Sequence, residues 1–157
     1  MRSNTEIPLQ ELIQCVEQKL TNENWQNALN IWINNSELLN LIKWLATVII
    51  QSVSAEFIEL LKDIISWNVN DDELRRCIYK KAENLGFTTQ AGSLGLALFM
   101  FGGSMSPPEY EPVYAPPRSV AQILHGILIN QSVITSDTSP VEGAKGLFQQ
   151  WCSCHYQ

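Results

Sequence analysis

Apolar residues recur at three- and four-residue spacing along most of the chain, which is the period of a helix and not of a strand. Leu9, Leu12, Ile13, Val16 and Leu20 predict a first helix over 8–20, broken at Thr21–Glu23. Trp25, Ala28, Leu29 and Trp32 share a stripe on a second helix over 24–33, which Asn34 and Asn35 close. Ser36 is a suitable N-cap for a third helix over 37–51. Leu38, Leu41, Ile42, Leu45, Val48 and Ile49 make that helix apolar over a wide arc, so it should be central. Ser54 then opens a fourth helix over 55–66, with Phe57, Ile58, Leu61, Ile64 and Ile65 facing inward.

The stretch Val69-Asn70-Asp71-Asp72-Glu73-Leu74 has the form of a helix start. Asn70 is its expected cap, Glu73 stands at N3, and Val69 with Leu74 fits a hydrophobic staple. The fifth helix continues through Cys77, Ile78, Ala82 and Leu85 to a stop at Gly86. Thr88 or Thr89 opens a sixth helix over 90–101. Gly92 and Gly95 within it each cost about 1 kcal/mol relative to Ala, which points to a close helix–helix approach. Leu94, Leu98 and Phe101 are its expected core residues. Ser119 and Gln122 suggest a capping box for a seventh helix, with Val120, Ile123, Leu124, Ile127 and Leu128 on its inner face. A loop is expected over 133–138. Ser139-Pro140-Val141-Glu142 opens the last helix, with Pro at N1 and Leu147, Phe148 and Trp151 inward. The pattern predicts an all-α protein: a single domain over 1–157 of seven to eight short antiparallel helices. An α-solenoid is the alternative, although no repeat period supports it.

Residues 102–118 break the pattern. Pro107-Pro108, Pro112 and Pro116-Pro117 exclude a helix there and favour an extended path. A connection of this length is either functional or pinned across the surface. Its Tyr and Pro residues offer contact area at low entropic cost, which makes Tyr110, Pro112, Tyr114, Pro116 and Pro117 the candidate partner-binding residues. The competing reading is a strap between helices six and seven whose rings plug gaps in the core. Glu109 and Glu111 interleave with the rings and would be costly to bury, which favours the interface.

Charge and composition narrow the function. The 157 residues carry 10 Lys and Arg against 16 Asp and Glu, a net charge of -6. Phosphate-backbone binding needs a field of positive charge, so no nucleic-acid partner is expected. The greasiest runs, 38–50 and 91–103, fall short of the ~20 apolar residues a membrane span requires. Met1–Pro8 has no apolar region of a secretory leader. Four cysteines without a pairing pattern fit a reducing compartment, with Cys15 and Cys77 as small core residues. The expected location is the cytoplasm.

Little in the chain points to chemistry. Cys152, Cys154 and His155 invite a metal reading, but a structural zinc site needs four ligands, normally in two spaced pairs. His125 lies among apolar neighbours on a helix, and no nucleophile elbow, phosphate loop or H-E-x-x-H pattern is present. Arg75, Arg76, Lys80 and Lys81 form a basic cluster. They follow Asp71, Asp72 and Glu73 on one helix, an order that complements the helix dipole. An acidic partner docking there is the functional alternative.

Residues Asn84-Leu85-Gly86-Phe87-Thr88-Thr89-Gln90-Ala91-Gly92-Ser93-Leu94 lead into Ala97-Leu98-Phe99. Gly102-Gly103-Ser104-Met105-Ser106-Pro107-Pro108 follows, and then Pro116-Pro117. This stretch resembles an uncharacterised bacterial family of small helical proteins with a Gly-Gly-Ser-x-x-Pro-Pro turn and a second Pro-Pro before a small-residue helix. The chain departs from that pattern in helix seven, where His125 and Ile residues stand in an Ala-rich region. The resemblance implies an accessory protein of specialised secretion gene clusters, with no activity or cofactor to carry over. The expectation is therefore a non-catalytic, cofactor-free adaptor that binds another protein, implied to be a secretion-system component. The rival is a small-molecule-binding or enzymatic domain with a pocket beside helix six, where Gly92 and Gly95 would leave a groove.

Overall fold

A computed structural model describes residues 8–22 and 24–155. The leader reading at Met1–Pro8 and the break at Thr21–Glu23 fall partly outside them. The described residues form eight α-helices and no strand, so the chain is all-α. The helices are α1 (Leu9–Thr21), α2 (Trp25–Asn34), α3 (Leu38–Ile49), α4 (Ala55–Ser66), α5 (Asp72–Leu85), α6 (Gln90–Gly102), α7 (Pro117–Thr135) and α8 (Pro140–His155). None of them is long and apolar enough to cross a membrane.

The chain divides into two compact units. The first combines residues up to Asn35 with those from Leu128 onward. Here α1 buries Leu12, Val16 and Leu20, and α8 buries Leu147, Phe148 and Trp151. Trp32 of α2 meets Phe148 edge-on at 5.2 Å between ring centroids and Trp151 at 6.1 Å. Gly143 of α8 lies so close to α7 that a Cβ there would stand 1.9 Å from the Ser132 carbonyl oxygen.

The second unit spans Ser36–Ile127. As the wide apolar arc predicts, α3 is buried at Leu41, Ile42, Trp44, Leu45, Ala46 and Ile49. Opposite it, α4 contributes Leu60, Leu61 and Ile64. The α5–α6 pair is the tightest packing in this unit. A Cβ on Gly95 would lie 2.9 Å from that of Ala82, and one on Gly92 would lie 1.9 Å from the Gly86 carbonyl oxygen. The two glycines thus permit close approach, and the space they vacate is filled. Lys81 ties α5 to α4 through Asp63 at 2.6 Å and Glu59 at 2.9 Å.

Several local expectations need correction. Glu37, not Ser36, is the residue before α3. Asp71, not Asn70, caps α5: its carboxylate accepts the Leu74 N–H at 3.0 Å. A charged acceptor suits the positive end of the helix better than a neutral amide. The Trp67 indole N–H, bonded to the Asp71 carbonyl at 2.8 Å, fixes that residue in place. Val69 is left exposed, so no staple forms. α7 begins at Pro117, with Ser119 inside it donating its N–H to the Pro116 carbonyl. Pro at N1 has the required φ and no N–H to lose. The helix also runs on to Thr135, into the stretch read as a loop. Cys77 is exposed and Phe101 is 37 % exposed, while Phe99 takes the core position on α6.

Candidate protein-interaction site

The connection between α6 and α7 folds back on itself. Met105 donates its N–H to the Val113 carbonyl at 2.7 Å, and Val113 donates to the Ser104 hydroxyl at 2.9 Å. The Ser106 hydroxyl donates to the Glu111 carbonyl at 2.6 Å. Tyr110 closes a turn over Pro107–Tyr110 through the Pro107 carbonyl at 3.0 Å. Pro108 occupies the second position of that turn, where its fixed φ is suited. Two short serines therefore do locally what a sheet ladder would otherwise do, satisfying the backbone of a segment that proline keeps out of a helix.

The root of the loop is clamped by α5. Arg75 is buried to 1 % exposure. Its guanidinium donates to Asp72 Oδ1 at 2.7 Å, to the Phe99 carbonyl at 2.8 Å and to the Ser104 carbonyl at 3.0 Å. It also lies over the Phe99 ring, 4.6 Å from the centroid. Arg76 bonds Asp72 Oδ2 at 2.9 Å and the Ser106 carbonyl at 3.0 Å. Gly102 and Gly103 complete the joint. A Cβ on Gly102 would stand 2.5 Å from Arg75 Cδ and 3.0 Å from the Trp67 ring, and one on Gly103 would stand 3.2 Å from Arg75 Cζ. The Gly-Gly pair thus lets the chain pass against a buried arginine. Both arginine bonds, first that of Arg75 and then that of Arg76, hold the Asp72 carboxyl below its ordinary value.

Beyond the clamp the side chains point to solvent. Tyr110 is 67 % exposed and Tyr114 69 %. Pro112, Val113, Pro116, Glu109 and Glu111 are exposed as well. The rings thus do not plug the core. Pro117, the fifth candidate, is exposed but belongs to α7 as its first residue.

The other candidates are dispersed. The basic cluster does not form one surface: Arg75 is internal, Arg76 is held by Asp72 and Ser106, and Lys81 is held by α4. Cys152, Cys154 and His155 sit on α8, where His155 stacks on Trp151 at 3.6 Å. Burial, and secondarily Glu17, pushes the Cys152 thiol up to about 11. Among the described residues no three His, Cys, Asp or Glu side chains gather as metal ligands would. Sequence reasoning missed the clamp itself. The spacing carries a signal for the burial of Arg75 alone, since it stands three residues before Ile78 and seven before Ala82, on the buried stripe of α5.

A family model matches residues 20–150 of the chain. The chain belongs to this family of unknown function, DUF6931. The span that places it in DUF6931 includes the loop, its root and Arg75. No curated protein and no solved structure is matched.

Proposed function

We propose that the protein is a non-catalytic adaptor or accessory subunit that binds another protein through the loop after α6. One observation carries the reading. A loop whose backbone is satisfied at its root by Arg75, Arg76, Ser104 and Ser106 holds two tyrosines in solvent. Aromatic side chains held out by an ordered backbone lose little entropy on binding, and Tyr is enriched among residues that dominate interfaces. The resemblance of residues 84–117 to an uncharacterised bacterial family, which implies an accessory role in secretion gene clusters, supports a component of such a machine as the partner, met in the cytoplasm.

The test is a pull-down with the full chain and with the double variant Tyr110→Ala, Tyr114→Ala. The variant is expected to melt within about 2 °C of the native protein, because exposed substitutions cost little. It is also expected to lose the specific partner. Repeated pull-downs that return no specific partner, or the same partner with both proteins, would refute the adaptor reading.

A further inference from the structure

We draw no further inference here: the strongest candidate, the groove of about 630 Å³ between Leu39 and Lys43 of α3 and the Trp67–Asp71 turn, has its Lys43 ammonium bonded to the Trp67 carbonyl at the end of α4, and nothing in the structure shows what would fill it.

Discussion

Arg75→Met tests whether a buried cation on α5 holds the loop after α6. Methionine keeps much of the apolar stem of arginine and deletes the guanidinium. Three bonds go with it, to Asp72, Phe99 and Ser104. The Phe99 carbonyl bond is buried, so its loss costs about 1–3 kcal/mol for an orphaned acceptor. The Ser104 carbonyl is only part-buried and can turn to water, which limits its share. Loss of the contact with the Phe99 ring adds about 1–2 kcal/mol at a desolvated site. Against this, Asp72 keeps Arg76, and no charge is left stranded, because Asp72 is 58 % exposed. The relief of no longer burying a cation offsets part of the loss. The net cost is about 2–4 kcal/mol, which lowers the melting temperature by about 4–16 °C for a chain of this size.

Two assays read the consequence. Urea denaturation gives the stability change, and amide exchange at Met105 and Val113 reports the loop, because their N–H groups close it. Exchange at both should speed up in Arg75→Met. Arg75→Lys should not restore protection, because a point ammonium cannot serve three acceptors arranged around a planar fork. Arg76→Met removes only the part-buried bond to Ser106 and the pair with Asp72, so it should cost less than about 1 kcal/mol while still loosening the loop. An unmoved urea midpoint together with unchanged exchange in Arg75→Met would refute the clamp.

Asp72 binds its proton more weakly in the folded chain than its ordinary value of 3.8, because of Arg75 first and Arg76 second. Its contribution is therefore present above 3.8 and disappears as pH falls through the lower folded value. The stability gap between native protein and Asp72→Asn, at most about 1 kcal/mol for so exposed a carboxylate, should close on acidification, and a gap that widens below 3.8 would contradict the pairing. Mass-spectrometric alkylation at pH 8 should label Cys77 and Cys154 first and Cys152 last, since Cys152 is half-buried and its thiol is pushed up to about 11; early labelling of Cys152 would show α8 packed otherwise. Gly126→Ala and Gly146→Ala should each raise stability by about 0.5–1 kcal/mol, as nothing lies within 4 Å of either added Cβ in α7 or α8. Gly92→Ala should instead destabilise in urea titration, because its Cβ would meet the Gly86 carbonyl oxygen, and a stabilised variant would mean α5 and α6 are further apart.

Most helices were legible because their signals are local. Thr89 bonding the Gly92 N–H, Ser139 bonding the Glu142 N–H, and Gly86 at positive φ are each decided within a few residues. The start of α5 shifted by one because Asn70 and Asp71 are both able caps, and the choice falls to Trp67 and charge. Phe101 was misplaced because α6 is apolar all round, so spacing alone cannot say which face is inside. The exposure of Tyr110 and Tyr114 agreed with the interleaved glutamates. The clamp was hidden for a different reason: Arg75 counts as polar in any pattern, and its acceptors lie 24 and 29 residues away in sequence. No local rule reports such a bond.

The clamp also explains why a glycine pair ends α6. The chain must turn out of the helix beside a side chain that fills the space a Cβ would need, and Gly102 and Gly103 both face Arg75 there. Had the root been closed by apolar packing, it would have drawn Tyr110 or Val113 inward and consumed the surface. Closing it with loop carbonyls bonded to arginines of α5, and with the Ser104 and Ser106 hydroxyls bonded to Val113 and Glu111 on the returning limb of the loop, leaves the large side chains unspent. The order of the segment and the exposure of its rings thus have one cause. Any change that loosens Arg75 should weaken partner capture through disorder of the loop even with both tyrosines intact, whereas the tyrosine pair should abolish capture with the loop still protected from exchange. That separation, read in one pull-down and one exchange experiment, distinguishes a residue that positions the surface from residues that touch the partner.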